Sequence, residues 1–162
     1  MKFTHCLTLT LLTLASLSAN AQGKYNGEDR GRPVMPATSN AKWVAECGGC
    51  HMAFAPGLLP AASWTKVMNG LDKHFDTDAS LPAQDVKEIT DYLTKYASKR
   101  WTANTSPLRI SDSVWFKTKH SSSEINPAVW KRESVKSPAN CMACHSGADK
   151  GDFNERNIRI PK

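Results

Sequence analysis

The sequence predicts a mainly α-helical chain in two lobes, a small helical domain followed by a loop-rich lobe organised by a bound group rather than by a core of its own. Three observations carry this. Val86, Ile89, Leu93 and Tyr96 recur at intervals of three, four and three residues, the period of an amphipathic helix. The two halves each hold one copy of the same five-residue motif, Cys47-Gly48-Gly49-Cys50-His51 and Cys141-Met142-Ala143-Cys144-His145. Beyond residue 113 the apolar residues thin out to scattered positions, so a segment this short buries too little surface alone. A length of 162 residues with 22% charged and 40% hydrophobic excludes a large multidomain enzyme, a collagen-like repeat and a fully disordered chain.

Taken in order, residues 1–21 read as a secretory signal peptide. Lys2 precedes the apolar run Leu7 to Leu17, and Ala19-Asn20-Ala21 is a small-x-small site with cleavage expected after Ala21. The run is too short to span a bilayer and is interrupted by Thr8, Thr10, Thr13 and Ser16. Cys6 leaves with it. The remaining chain has 20 basic and 15 acidic residues, a net of +5, and is expected to be exported and not membrane-spanning.

Residues 22–37, rich in Gly, Pro and charge, read as a mobile or wrapping N-terminal arm. The first domain is expected over 38–101. Ser39 or Asn40 caps a helix in which Trp43 and Cys47 share a face, so the helix delivers the first motif. Residues 53–60, Ala-Phe-Ala-Pro-Gly-Leu-Leu-Pro, are too apolar for an exposed loop and are expected to cover the edge of the group held by that motif. Ser63 is expected to cap a helix carrying Trp64, Val67, Met68 and Leu71, which leaves His74 at a helix terminus. Ser80 and Pro82 open the striped helix, which packs on the Trp43 helix. Residues 102–113 read as a connection, and 114–162 as the second lobe.

With Cys6 set aside, all four cysteines belong to the two motifs. Paired Cys-x-x-Cys alone fits zinc, a redox dithiol or disulfides, and export favours disulfides. The histidine directly after each pair decides for covalent haem c. Two thiols at this spacing reach the two vinyl groups on one edge of a haem, and the next residue folds under the ring so that its imidazole binds the iron. Cys47, Cys50, Cys141 and Cys144 are thus the covalent anchors, and His51 and His145 the proximal ligands.

Only His74 and His120 remain for the sixth positions, 23 residues after His51 and 25 before His145. A lone histidine is usually a surface or capping residue, but here each haem needs a partner and each half offers one. Methionine is the rival ligand. Met52 and Met142 lie beside or within the motifs and do not reach the opposite face; Met68 reads as core and Met35 precedes the first helix, and these two are the challengers to His74.

These residues carry a family resemblance. Trp43, Cys47 to His51, the Pro-Gly-Leu-Leu-Pro stretch, Ser63-Trp64, Leu71 to Phe75 and Tyr92-Leu93 resemble a shortened class I cytochrome c, with His74 replacing the usual later methionine. Trp115-Phe116-Lys117, Lys119-His120, Asn140 to His145, Ala148, Gly151-Asp152-Phe153 and Ile158 to Pro161 resemble the C-terminal lobe of bacterial di-haem cytochromes c. The likeness runs from Lys42 to Pro161. It implies a soluble periplasmic electron carrier with two haem c groups, both bis-histidine, and no substrate chemistry of its own. It also implies redox partners such as a membrane cytochrome b or a small oxygen-binding c-type cytochrome, and no nucleic acid. Two alternatives stand beside it. One is a di-haem peroxidase-like enzyme with one open haem. The other is the small di-haem subunit of a periplasmic reductase, which matches in size but has a Pro-Pro-x-Ile-Pro-His-like segment missing from this chain.

The charges are unevenly placed. Residues 95–136 hold nine Lys or Arg against three acids, whereas 22–94 hold seven against nine, with Asp72, Asp76 and Asp78 flanking His74. A basic surface around His120 is expected to steer an acidic redox partner, unless these cations only offset haem carboxylates or form a solvated face.

Overall fold

The computed structural model describes residues 33–99 and 106–162. The segment expected to be a signal peptide, most of the expected N-terminal arm, and residues 100–105 at the expected end of the first domain and start of the connection lie outside the described residues. Among those described there are four α-helices, seven short 3-10 turns and no strand, which is the mainly α class the sequence predicts. All of them fall in one compact unit, Arg32–Lys162.

Helix α1, Ala41–Cys47, starts where Asn40 accepts the Trp43 N–H on its side-chain oxygen at 2.7 Å, a side-chain cap that satisfies an otherwise orphan donor. It stops at Gly48, whose N–H closes on the Val44 carbonyl. Helix α2, Ala61–Met68, begins at Pro60, not at Ser63. The Pro60 carbonyl already receives the N–H groups of Ser63 and Trp64 at 3.0 and 3.2 Å, so the cap position is taken three residues earlier than expected and Ser63 is fully buried within the helix. Trp64 donates its indole N–H to the Pro56 carbonyl at 2.7 Å, tying α2 to the preceding apolar loop. Helix α3, Ala83–Lys95, follows Pro82, with Asp85 in its first turn and Lys95 in its last, both favourable to the helix dipole.

The striped face of α3 does what its period predicts. Ile89, Tyr92 and Leu93 join Trp43, Leu59, Trp64 and Met68 in one buried cluster, with Val86 and Tyr96 at its margin. The Trp43 and Tyr92 rings lie 5.3 Å apart, and Lys42 pairs with Asp85 across α1 and α3. Leu93 is 1% exposed. Leu93→Ala should therefore cost about 2–5 kcal/mol, read as a lower denaturant midpoint of the haem-loaded protein with its spectrum unchanged.

The second half is built differently. Its one α-helix, α4, Val114–Lys119, is capped by Ser113, whose hydroxyl accepts the Phe116 N–H at 3.1 Å, and it ends at His120. The rest is turns, held by Asn126 and Asn154 as side-chain caps, by the Asn140 amide donating to the Val135 carbonyl at 3.0 Å and by Arg132 donating to the Pro161 carbonyl. Among the described residues its buried apolar side chains are Phe116, Val129, Val135 and Ala148, and of these only Val135 and Ala148 are fully enclosed. That is too little apolar burial to hold a segment of this length without help.

The halves meet at several points, among them Met35 and Ile110. Val34 accepts the Gly57 N–H at 2.8 Å, and Met35 beside it packs both on the first cluster and against Gly151. Gly151 sits at φ 78, and a Cβ there would meet Met35 Cβ at 2.6 Å. Ile110, in the 3-10 turn Ile110–Asp112, also packs on the first cluster.

Candidate functional site

At the first motif, α1 carries Cys47 in its last turn, packed against the buried cluster, and the chain then turns through Cys50 to an exposed His51. The Nδ1 of His51 lies 2.8 Å from the Met52 carbonyl oxygen. A carbonyl only accepts, so Nδ1 carries the hydrogen and Nε2 keeps its lone pair. Phe54 packs against the His51 ring at 4.9 Å. The apolar loop thus begins at the first motif as expected, but it does not stay there: Leu58 lines the cleft of the second motif.

His74 faces His51 with ring centroids 6.2 Å apart and planes 26° from parallel. It caps the 3-10 turn Leu71–Lys73 and opens a tight reversal in which Phe75 and Asp76 have φ of 48° and 72° and the Thr77 N–H returns to the His74 carbonyl at 3.0 Å. Two successive left-handed residues make a type I′ turn, which ordinarily calls for Asn-Gly. Burial holds the His74 imidazole below the usual histidine range, helped by the neighbouring His51 and Arg109.

At the second motif the His145 N–H reaches the Cys141 carbonyl at 2.8 Å, closing one helical turn, so that the cysteines and histidine of the motif share one cleft with His120. The His120 and His145 rings are 6.1 Å apart at 69°. Nδ1 of His120 lies 3.1 Å from the Phe116 carbonyl, which again leaves Nε2 as the lone-pair nitrogen. Phe116 stacks flat on His120 at 4.0 Å and 10°, Trp130 lies at 6.0 Å, and Phe153 covers His145 at 5.3 Å. Burial lowers the pKa of both histidines, which keeps the neutral, metal-binding form at neutral pH.

The cleft is partly open to solvent, and its wall is mainly apolar. Trp115 lines it, and the Trp115 indole N–H is buried without an acceptor. A flat, apolar group with carboxylates at one edge fits such a cleft. Burial pushes the Cys47 and Cys141 thiols up to about 11, whereas a redox dithiol uses a lowered pKa at its attacking thiol. Among the described residues, no three His, Cys, Asp or Glu converge on a shared metal position, so the four cysteines do not assemble a zinc site.

Two Cys-x-x-Cys-His motifs, each with a second histidine across from the first, define a c-type cytochrome carrying two haems. The chain belongs to the dihaem cytochrome c family, whose model matches residues 43–153. It is similar to a diheme cytochrome c from Rhodobacter sphaeroides, at 38% identity and a TM-score of 0.66 over 72% of this chain and 98% of that one. A diheme cytochrome c from Shewanella baltica is 36% identical, with a TM-score of 0.67 over 75% and 93% of the respective chains. Among curated proteins no match was found. Two c-type haems with iron are therefore its cofactors, and it is a di-haem electron-transfer cytochrome.

The structure sets His74 opposite His51 and His120 opposite His145, the pairing expected from the sequence, and only part of what surrounds them was legible there. Phe116 and His120 are one helical turn apart, a spacing at which side chains meet, so that contact was readable. Leu58, Trp115 and Arg109 reach their sites through the packing of the two halves, and no local signal marks them.

Proposed function

We propose that this chain is an exported, periplasmic electron carrier with both irons six-coordinate and low-spin: His51 and His74 at the first haem, His145 and His120 at the second, and Cys47, Cys50, Cys141 and Cys144 as covalent anchors. The observation that carries the proposal is the spacing of the imidazole pairs. An iron at about 2.0 Å from each nitrogen, with a further 1.1 Å or so from nitrogen to ring centre, needs rings roughly 6.2 Å apart. The two pairs stand at 6.2 and 6.1 Å. Met68 is enclosed among Trp43, Trp64 and Leu93 and Met35 lies against Gly151, which favours His74 over either as the distal ligand.

A haem held between two strong protein ligands exchanges single electrons and has no free position for oxygen, peroxide or nitrite. The surrounding residues serve that end. Donation from Nδ1 of His120 to the Phe116 carbonyl fixes the tautomer and makes the imidazole a stronger donor, which favours the ferric state. Phe116, Trp130 and Phe153 keep water from the second pair. The two-lobe reading, with a first haem domain over 38–101, a connection over 102–113 and a second haem lobe over 114–162, is supported by the single buried cluster of the first part and the turn-rich second part. Export rests on the pattern of residues 1–21; among the described residues no helix is long and apolar enough to cross a membrane.

Redox partners, of which a membrane cytochrome b or a small oxygen-binding c-type cytochrome are candidates, would meet the basic side of the second lobe. Lys117 and Lys131 are exposed there, whereas Lys119 lines the cleft and pairs with Glu155 at 3.3 Å, so Lys117 is the better probe. The second-order rate with an acidic partner should fall as salt rises, and Lys117→Glu should slow it roughly threefold or more at low salt. Stopped-flow rates that ignore ionic strength, or that respond only to neutralising Asp72, Asp76 and Asp78, would move the docking face elsewhere.

Potentiometric titration of the purified protein, with haem content read after denaturation, tests the function. Two attached haems and two reversible one-electron waves, with no ligand uptake on reduction, are expected. Turnover of peroxide or nitrite by one of them would instead make it an enzyme.

A further inference from the structure

The reversal that presents His74 is strained. Left-handed conformation at a residue with a side chain is disfavoured, and two in a row without glycine persist only where the surroundings impose them. Within the reversal, the Thr77 N–H binds the His74 carbonyl at 3.0 Å and the Ala79 N–H binds the Leu71 carbonyl at 2.8 Å. Neither bond fixes the Phe75 ring, which lies edge-on to His74 at 4.7 Å and is 37% exposed, outside the buried cluster. What holds that ring comes from the other half of the chain. The Arg109 guanidinium carbon stands 3.9 Å from the Phe75 centroid, well inside the range of a cation–π stack. The residue after it, Ile110, packs on the first cluster and lines the second cleft, so Arg109 is delivered by a segment anchored on both sides.

We propose that Arg109 is a positioning residue for the first haem: its guanidinium, stacked on Phe75, holds the left-handed turn that aims His74 at His51, so that the segment connecting the two lobes governs how firmly the first iron keeps its distal ligand. The inference rests on the bis-histidine reading above. Its chemistry is ligand retention, with no covalent step, and its natural observable is the rate at which a neutral external ligand displaces His74.

The test is carbon monoxide binding to the reduced, haem-loaded full chain. Arg109→Ala should speed binding at one of the two haems by roughly threefold to fivefold, the factor a cation–π contact supports. Arg109→Lys, which keeps the cation, should restore part of the slow rate. Phe75→Leu should give the same acceleration, and the double variant no more than either single change, because both remove one interaction. In a His74→Ala background, where the first site is already open, Arg109→Ala should add nothing. An unchanged Arg109→Ala rate in a slow-binding parent, additive effects with Phe75→Leu, or an equal acceleration in the His74→Ala background would each overturn the role of Arg109. A parent that binds carbon monoxide at once at both haems would instead contradict the bis-histidine reading itself.

Discussion

His120→Ala should leave the second haem attached and open its iron, because Cys141 and Cys144 hold the porphyrin independently of the distal side. With His120 on the iron, as proposed, an external ligand in the parent waits for it to leave, so only the fraction of molecules with the bond broken is competent. If that fraction is about 0.1–10%, as minor states commonly are, removing the ligand raises the apparent affinity for carbon monoxide roughly 10- to 1,000-fold. The cleft should keep its shape, since Phe116 and Trp130 pack on each other at 6.2 Å as well as on the imidazole. Flash photolysis or stopped-flow mixing of the reduced variant reads the change directly, and a haem stain after denaturation shows that attachment survives. Rapid binding by the parent at the second haem would mean that His120 is not on the iron.

His74→Met should raise the potential of the first haem and leave the second where it is. Thioether donates less strongly than imidazole and so stabilises the ferrous state relative to the ferric. Axial ligation spans about 0.8 V across haem proteins, so a shift on the order of 100 mV is expected, about fifty-fold in the one-electron equilibrium constant. The reversal at Phe75 and Asp76 presents the side chain at position 74 whichever residue stands there, and methionine is long and flexible enough to fill the space of an imidazole. One wave moving upward while the other stays still would identify both the ligand and the haem. Two unmoved waves would remove His74 from the iron.

Much of this was legible in the sequence because it was written at short range. The Asn40 cap, the stripe from Val86 to Tyr96 and the packing of Trp43 on α3 follow from local pattern, and the five-residue motifs carry their chemistry in their spacing. Ser63 shows where local pattern misleads. It has the type of a capping residue, but the rigid φ of Pro60 sets the helix start ahead of it and Ser63 is drawn into the core. The turn at Phe75 and Asp76 was invisible for a related reason: no Gly or Asn announces it, and the conformation is imposed from outside the segment. Leu58 belongs to the loop expected at the first haem, yet it serves the second cleft, because the two halves pack through that loop. Where a residue's role is decided by how distant segments meet, as for Arg109 and Trp115, the sequence offers a residue type but no partner.

Low-temperature electron paramagnetic resonance of the ferric protein, with its near-infrared spectrum, tests the central claim most directly, because it reports spin state and ligand type for both irons together. The imidazole pairs at 6.2 and 6.1 Å predict two low-spin signals with bis-nitrogen ligand fields, a wider g anisotropy expected at the second haem, whose ring planes lie 69° apart, than at the first, where they lie 26° apart. An axial high-spin signal, or a methionine-to-iron charge-transfer band, would contradict it.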